Sequence, residues 1–158
     1  MQISAIGTIE SPFIELSDMP IQPGGATGMR GRIVLEPELA EGLADLGGFS
    51  HIIVLYHFHR AGEAKLTVVP FLDPAPHGVF ATRAPTRPNK IGLSILKLIR
   101  VNDNCIDVDN IDILNGTPLL DVKPYVPEFD QPGGCIRTGW LEDNDNSSLA
   151  TRSDRRFA

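Results

Sequence analysis

Two neighbouring segments of alternating polarity constrain the fold of this chain more than any other feature. Residues 91–101 (IGLSILKLIRV) and 104–114 (NCIDVDNIDIL) flank the short polar stretch 102–104 (NDN). Asn and Asp favour tight turns, because their side chains bond to nearby backbone groups and they tolerate left-handed backbone. In the second segment Asp107 and Asp109 alternate with aliphatic residues, which is typical of a sheet with one solvated face. The two segments therefore predict an antiparallel hairpin.

The remainder of the chain also favours strands over helices. Segments rich in β-branched and aromatic residues, bounded by turn residues, predict strands at 2–10, 30–36, 49–59, 65–72 and 119–126. The strand at 49–59 is apolar enough for burial on both faces. Pro70 indicates that the strand at 65–72 lies at a sheet edge. Strands and helices do not alternate, which argues against a doubly wound fold. These strands predict a mainly β protein, built as a single-sheet, closed or nearly closed β-barrel.

One short helix and an irregular tail complete the predicted organisation. The helix begins at Pro37 and ends at a glycine pair, and one of its faces carries Leu39, Leu43 and Leu46. After Pro127 the sequence is rich in Gly, Asp, Asn and Ser without periodicity, which predicts irregular structure that is partly disordered beyond Glu142. We therefore expect one domain at 1–127 and a C-terminal tail at 128–158.

Charge is unevenly distributed along a chain whose formal net charge is −6. A protein this acidic is not expected to bind nucleic acid nonspecifically. Yet residues 74–102 contain no Asp or Glu, and their cations are Arg83, Arg87, Lys90, Lys97 and Arg100. A basic segment on an acidic protein is typical of a local site for phosphate or carboxylate. Side chains on separate solvated faces are the alternative.

Three features bear on the compartment of the protein. Cys105 and Cys135 are its two cysteines, which favours reduced thiols in a cytoplasmic protein. No segment reaches about 18 consecutive apolar residues. The first residues lack the basic and apolar regions of a secretion signal. We therefore expect a cytoplasmic protein that does not enter a membrane.

His57, His59 and Glu63 have the spacing of half a cupin metal site. Residues two apart on a strand point to the same face, so both imidazoles can share one metal ion. The other half of that signature is a later His three residues before an Asn, and it is missing, because His77 has Phe80 at that position. We therefore expect no metal, and a cupin-like metalloenzyme is kept as an alternative.

The segment 78–94 (GVFATRAPTRPNKIGLS) combines arginines with prolines. Pro85 and Pro88 stiffen the backbone around Arg83 and Arg87. A stiff loop loses little conformational entropy on binding, which favours a role in gripping a ligand. An ion pair within the protein is the alternative that these residues leave open.

This segment resembles the signature of the TsaA-like (YaeB-like) tRNA adenine-N6 methyltransferases, which act on N6-threonylcarbamoyladenosine beside the anticodon. Further matches lie, in order, at 6–13 (IGTIESPF), 22–24 (QPG), 49–52 (FSHI), 57–60 (HFHR) and 112–125 (DILNGTPLLDVKPY). The resemblance covers roughly residues 3–127. It implies a β-barrel methyltransferase that uses S-adenosylmethionine, acts on tRNA, needs no metal and works as a homodimer.

The resemblance also implies which residues bind the cofactor. They are Pro20, Ile21, Gln22, His59, Arg60, Arg83, Leu93, Leu120, Asp121, Val122 and Lys123. These residue types suit S-adenosylmethionine, because arginine pairs with a carboxylate, aspartate with a ribose diol, and apolar side chains with an adenine ring.

Methylation of N6 in threonylcarbamoyladenosine is helped by a proton acceptor, because that nitrogen belongs to a urea whose N–H is acidic. Asp121 and Tyr125 are the candidates for this base. Arg87, Asn89 and Lys90 are the candidates for substrate contact, including contact with RNA phosphate. A non-catalytic S-adenosylmethionine-binding sensor on the same barrel is the alternative, since its cofactor residues would be the same.

Overall fold

The computed structural model describes residues 2–17, 19–142 and 149–158. Its eight strands are β1 Gly7–Glu10, β2 Arg30–Leu35, β3 His51–His57, β4 Thr67–Val68, β5 His77–Gly78, β6 Ile91–Asn102, β7 Cys105–Asp109 and β8 Thr117–Pro124. Short 3₁₀-helices lie at Pro23–Ala26, Pro37–Leu43, Leu46–Gly48, Val79–Ala81 and Gly139–Leu141, and one α-helical turn, α1, spans Pro127–Asp130. Within the described ranges no helix has the length and apolar character needed to cross a membrane.

Six of the strands close into a barrel. Each is antiparallel to both neighbours, in the order β1-β2-β7-β6-β3-β8. Pairing of β8 with β1, in which Leu119 lies opposite Gly7, completes the circle. Closure pairs both edges of the main sheet, which removes sites for unwanted strand pairing. The predicted mainly β, single-sheet barrel is therefore confirmed, and the hairpin of β6 and β7 is part of it.

Alternation along the strands builds the barrel core. From Gly92 to Leu98 every second residue of β6 is buried, and β3 alternates in the same way. The inward aliphatic side chains from six strands include Ile9, Ile33, Ile52, Val54, Leu96, Ile106, Val108 and Leu119. Complete burial of one such side chain contributes roughly 1.5–3 kcal/mol, so a one-residue slip in register would be costly.

The predicted helix at Pro37 is present in a different form. Pro37–Leu43 and Leu46–Gly48 are two 3₁₀-helices, and Asp45 between them has a left-handed φ of 65°. Leu43 is buried against the barrel, whereas Leu39 is exposed. A 3₁₀-helix has about three residues per turn, so leucine spacing that suits an α-helix does not bring all three leucines to one face.

Two predicted strands differ in extent and place. Within 65–72 the strand is Thr67–Val68, and it pairs with β5 in a separate two-stranded sheet rather than at an edge of the barrel. Pro70 has no N–H to donate to a neighbouring strand, which limits the length of β4. The second arm of the hairpin ends at Asp109, because Asn110 has a φ of 64° and turns the chain.

The C-terminal residues are irregular, as predicted, and a few of those described from 149 to 158 contact the rest of the protein. Residues 143–148, where disorder was also expected, lie outside the described residues. Arg152 pairs with Pro20, and the Ser153 N–H donates to the Met19 carbonyl at 2.8 Å. Phe157 is buried, with its ring edge-on to another phenylalanine. The contacts of Ser153 and Phe157 attach this segment to the rest of the protein, and partial disorder beyond Glu142 stays a prediction.

Candidate active site

A large cavity opens at one end of the barrel, where β3 ends and β6 and β8 begin. Its volume is about 1100 Å³, which is at the upper end of the range for small-molecule sites. Residues from the loop 11–29 between β1 and β2, which we call the first loop, from the 78–94 segment and from the C-terminal residues 149–158 complete its walls. The barrel end thus brings together parts of the chain that are far apart in sequence.

Most of the predicted cofactor residues line this cavity, namely Pro20, Ile21, Gln22, His59, Arg60, Arg83 and Leu93. Arg83 Nη1 donates to Gln22 Oε1 at 3.1 Å, which joins the 78–94 segment to the first loop. Among the described residues, no carboxylate lies within ion-pair distance of Arg60 or Arg83. Cavity cations without a counter-ion favour an anionic ligand, such as a carboxylate.

The other predicted cofactor residues, 120–123, lie away from this cavity. In the pairing of β8 with β3, Asp121 lies opposite Leu55 and Lys123 opposite Ile53, on the outer face of the barrel. The Lys123 ammonium is 2.6 Å from an Asp121 carboxylate oxygen. Within a single chain this block therefore does not reach the cavity, and its role in cofactor binding stays a prediction.

Tyr125, one of the two residues predicted as a base, is also outside the cavity. Gln131 Nε2 donates to its hydroxyl at 3.0 Å, and its ring lies edge-on to His51. Asp121, the other candidate, is held by Lys123. The structure does not bring either group near the cavity of its own chain, and both assignments stay predictions.

The predicted substrate contacts brace the 78–94 segment. Arg87 Nη1 donates to two backbone carbonyls around the 3₁₀-helix Val79–Ala81, at 2.8 and 3.0 Å. Lys90 Nζ donates to the Ala61 carbonyl at 2.8 Å. Asn89 is exposed beside them. The two cations thus hold the cavity wall in shape, and their contact with substrate stays a prediction.

The histidine pair lacks the geometry expected for a metal site. β3 ends at His57, so His59 is not on the strand, and its N–H donates to the His57 carbonyl at 2.7 Å. His59 Nδ1 lies 3.4 Å from the Thr117 hydroxyl, and partial burial lowers the pKa of this imidazole. Among the described residues, no group of three His, Cys, Asp or Glu side chains is arranged to hold a metal ion.

A chain of three hydrogen-bonded groups lies beside the cavity. Tyr56 Oη is 3.1 Å from Ser94 Oγ, and Ser94 Oγ donates to Asp112 Oδ1 at 2.7 Å. Because a serine hydroxyl carries one proton, Tyr56 is the donor to Ser94. Tyr56 and Asp112 line the cavity, and Ser94 is buried. We call these residues the Tyr56–Ser94–Asp112 chain.

Burial sets the protonation states of Tyr56 and Asp112 in the Tyr56–Ser94–Asp112 chain. It raises the pKa of Asp112 to about 6, although the Ser94 hydrogen bond and the charge of Arg83 oppose part of that rise. Burial also raises the pKa of Tyr56 well above its ordinary value, and the nearby Asp112 charge adds to this effect. At neutral pH the phenol is therefore a donor, whereas the carboxylate is ionised but close to its pKa.

Gly92 makes room for the tyrosine. In the register of β3 and β6, Tyr56 lies opposite Gly92 and Val54 opposite Ser94. A Cβ at position 92 would overlap the Tyr56 ring. Gly92 thus lets the Tyr56 ring lie against β6, where the Tyr56 hydroxyl reaches Ser94.

Sequence reasoning did not identify Tyr56, Ser94 or Asp112 as site residues. Asp112 was assigned to a strand, whereas β7 ends at Asp109 and the chain then turns toward the cavity. The available signal was its position as the first residue of the 112–125 match. The C-terminal wall residues, which include Ser153, Asp154 and Phe157, were also missed, because no periodicity marks them.

Comparisons with known proteins agree on one family. The family model for the tRNA-methyltransferase O N-terminal domain matches residues 8–131. A Pyrococcus abyssi protein named a probable S-adenosyl-L-methionine-binding protein is 51% identical over 152 residues, which are 96% of this chain and 82% of that protein. The human tRNA (adenine(37)-N6)-methyltransferase is 40% identical over 137 residues, or 80% of this chain and 30% of the human protein.

A solved structure shares the same fold. The crystal structure of TrmO from Pseudomonas aeruginosa has a TM-score of 0.74 and 38% identity, and the match covers 89% of this chain and 62% of that one. The chain thus spans less than two thirds of TrmO and under a third of the human protein. The family match includes the first loop, the 78–94 segment and the 112–125 block. This chain belongs to the tRNA-methyltransferase O N-terminal domain family.

Proposed function

We propose that this chain is an S-adenosylmethionine-dependent methyltransferase that methylates N6 of N6-threonylcarbamoyladenosine at position 37 of tRNA. One observation carries the proposal: a single cavity combines unpaired cations, apolar surface and a carboxylate, in a chain of this family. The name of the human relative specifies adenine 37 and its N6 atom. The threonylcarbamoyl group follows from the resemblance of the 78–94 segment.

The cavity residues suit S-adenosylmethionine, which supplies a methyl group activated by a positively charged sulfur. Arg83 would hold the carboxylate of the cofactor, because a guanidinium pairs with a carboxylate through two parallel hydrogen bonds. Gln22 keeps Arg83 in place through its 3.1 Å bond. Pro20, Ile21 and Leu93 offer apolar surface for the adenine ring.

An aromatic and basic rim suits the approach of RNA. The Phe80 side chain is 73% exposed, and the Arg87 guanidinium lies 5.7 Å from the centre of its ring. Trp140, also at the cavity, donates from Nε1 to the Ala81 carbonyl at 2.8 Å. Rings beside cations suit the unstacked bases of a single-stranded loop. At a net charge of −6, long-range attraction is weak, so we expect a shallow dependence of RNA binding on salt.

We also propose that two copies of the chain form a homodimer through the outer face of β3 and β6. Ile53 and Leu55 lie opposite Ile95 and Leu93, which makes a contiguous aliphatic surface. Leu93 and Ile95 are 44% and 38% exposed. A contiguous exposed apolar patch is typical of a protein–protein interface. We call these four residues the outer aliphatic face.

The outer aliphatic face is continuous with the cavity, which favours a second copy as its occupant. Leu93 belongs to both, and Ile91 next to it also lines the cavity. Asp121 and Lys123 lie one strand away on the same side. A second copy on this face would bring its own 120–123 block toward the cavity, so that both chains contribute to each cofactor site.

The thiols support a cytoplasmic location. Cys105 and Cys135 are free, as expected in a reducing compartment. We place the protein in the cytoplasm, with its tRNA substrate.

The test of the reaction is mass spectrometry of nucleosides. Purified protein is incubated with S-adenosylmethionine and tRNA, and the tRNA is then digested. N6-threonylcarbamoyladenosine should gain one methyl group, and tRNA that lacks the threonylcarbamoyl group should gain none, because a plain exocyclic amine is a weaker proton donor. Equal methylation of both tRNAs would contradict the substrate. Calorimetric binding of the cofactor without methylation of any tRNA would favour the sensor.

A further inference from the structure

We propose that Asp112 is the catalytic base, which accepts the N6 proton of the substrate nucleotide, and that Ser94 and Tyr56 are its positioning residues. The inference rests on the proposed function, because it names the group that completes the reaction at that site. Asp112 takes the place of Asp121 and Tyr125 as the base, whereas the predicted role of Asp121 in cofactor binding is a separate one.

Chemistry removes most of the other candidates for a base. The titratable groups that line the cavity in the described chain are Tyr56, His59, Arg60, Arg83, Arg87, Asp112 and Asp154. Arginine stays protonated in proteins and cannot accept a proton. Asp154 is paired with Arg156 through bonds of 2.7 and 3.0 Å. The phenol of Tyr56 stays protonated near neutral pH, because burial raises its pKa. Asp112 and His59 remain.

The surroundings of these two groups favour Asp112. His59 lies beyond the end of β3 and is more accessible to solvent than Asp112. Asp112 is partly buried, and among the described residues no cation lies within ion-pair distance of its carboxylate. A carboxylate that is poorly solvated and lacks an ion-pair partner gains free energy when it takes up a proton. This is why the pKa of Asp112 rises to about 6, near the value at which a base works best under neutral conditions.

The Tyr56–Ser94–Asp112 chain orients the base. Ser94 donates to Oδ1 from the buried side, and Tyr56 supports Ser94. Both donors come from the barrel wall, since Ser94 is in β6 and Tyr56 in β3. The carboxylate is therefore tied to rigid strands, although Asp112 itself follows the end of β7.

The proposed step balances in atoms and charge. The N6 nitrogen forms a bond to the methyl carbon, and the carbon–sulfur bond breaks with its electron pair going to sulfur. The N6 proton passes to the Asp112 carboxylate, which becomes a neutral carboxylic acid. The sulfonium charge and the carboxylate charge are thus both lost in one step, and Asp112 then releases its proton to water.

The experiment measures single-turnover methyl transfer to threonylcarbamoyl-bearing tRNA from about pH 5 to pH 8. The wild-type rate should fall by about tenfold per pH unit below the pKa of the base. Asp112→Asn keeps the shape of the side chain and accepts the Ser94 hydrogen bond, yet should slow methyl transfer by roughly 100- to 10,000-fold. It should also remove the fall in rate at low pH, which we call the acid limb of the pH profile. Asp109→Asn is the matched control, because Asp109 is in β7 and outside the cavity, and it should behave as wild type.

Two further measurements separate a base from other roles. Calorimetry of S-adenosylmethionine should give the same affinity, within about threefold, for wild type and Asp112→Asn, because Asp112 is assigned to the substrate proton. Carbon-13 NMR of the free protein should show a carboxyl group that titrates near pH 6 and is missing in Asp112→Asn. Ser94→Ala removes the donor to Oδ1 and should move that titration to higher pH.

Several outcomes would overturn the inference. If the Asp112→Asn variant transfers the methyl group at a near wild-type rate and keeps the acid limb, Asp112 is not the base, while the proposed function stands. Loss of the acid limb in His59→Gln instead assigns the base to His59. A large loss of cofactor affinity in Asp112→Asn assigns Asp112 to cofactor binding. If wild type methylates no tRNA, the proposed function fails and the inference fails with it.

Discussion

The segment 78–94 lines the cavity of its own chain, whereas Asp121 and Lys123 of the block 120–123 lie on the outside of the same barrel. Both belong to long matches with one family signature. Arg83 in the first points into the cavity region without a carboxylate partner, while Lys123 in the second is paired with Asp121 on the surface. The residues predicted to bind one cofactor are thus separated by the wall of the barrel.

The outer aliphatic face lies between these two regions. Its strand β6 carries a cavity residue, Leu93, on the same side as Ile95, and β3 carries Leu55 next to Asp121 of β8. The predicted cofactor residues of one chain therefore do not all meet at one cavity. The proposed dimer through this face would bring both regions to one site, and the predictions below compare the two regions.

The largest effect is expected from Ile95→Glu. If two copies meet at this face, the substitution buries a carboxylate without a partner, which costs about 3–5 kcal/mol of association free energy. Light scattering should show mass near 17.2 kDa instead of twice that value, and calorimetry should show weaker cofactor binding. Leu66→Glu places the same charge on an exposed leucine outside this face and should leave the dimer intact. A wild-type protein that is monomeric at every concentration would exclude the shared site.

The second prediction compares a carboxylate of the cavity with one of the outer block. The pKa of Asp112 is raised from 3.8 to about 6, which at 1.36 kcal/mol per unit corresponds to roughly 3 kcal/mol. The folded state binds this proton more tightly than the unfolded state. The contribution of Asp112 to the free energy of unfolding should therefore rise as pH falls from about 6 toward 4. Above pH 6, where the buried carboxylate is ionised, this contribution is at its lowest.

Asp112→Asn removes that dependence. Urea unfolding should show the variant up to roughly 3 kcal/mol more stable than wild type at pH 7, with the difference vanishing near pH 4. Asp121→Asn is the matched control in the outer block, where the side chain is 41% exposed and its ion pair contributes less than about 1 kcal/mol. Equal stability of Asp112→Asn and wild type at both pH values would show that burial of the carboxylate carries no cost.

The barrel could be predicted from the sequence because its signals are local. The alternation of β6 and β7 and the turn between them report directly which residues face inward. The form of the helix at Pro37 is not predictable in this way, because leucine spacing does not distinguish an α-helix from two 3₁₀-helices joined by a left-handed Asp45. Local pattern thus indicates where elements lie better than it indicates their hydrogen-bond geometry.

The candidate site was only half predictable for a different reason. Family matches identified Arg83 and Gln22, whose contact the structure contains. No local pattern marks the Tyr56–Ser94–Asp112 chain, because its members come from β3, β6 and the turn after β7 and meet only when the barrel closes. The outward position of Asp121 and Lys123 follows likewise from the pairing of β8 with β3, which is a property of topology.

The third prediction uses Arg83 and Lys123 to separate the two regions. Arg83→Ala should weaken cofactor binding by about 1.5–3 kcal/mol, the usual contribution of a charge-assisted hydrogen bond. Lys123→Ala should also weaken it in the dimer. On the Ile95→Glu background Arg83→Ala should keep its effect, whereas Lys123→Ala should add nothing, because no partner is present to use that lysine. Calorimetry of the four single and double variants measures this coupling, and independent effects in both backgrounds would contradict a shared site.

The smallest effect is expected at Gly92, where the cavity region and the outer aliphatic face share one strand. Gly92→Ala places a Cβ against the Tyr56 ring, and overpacking of this kind costs about 1–3 kcal/mol of unfolding free energy. The ring must move away from β6, which lengthens the Tyr56–Ser94 hydrogen bond and slows methyl transfer, while Leu93 and Ile95 still face outward and the dimer persists. Gly78→Ala is the matched control, because its Cβ would meet no atom within 4 Å and its φ of −60° suits alanine. Urea unfolding and light scattering on both variants test this, and a monomeric Gly92→Ala protein would mean that the two faces of β6 are not independent.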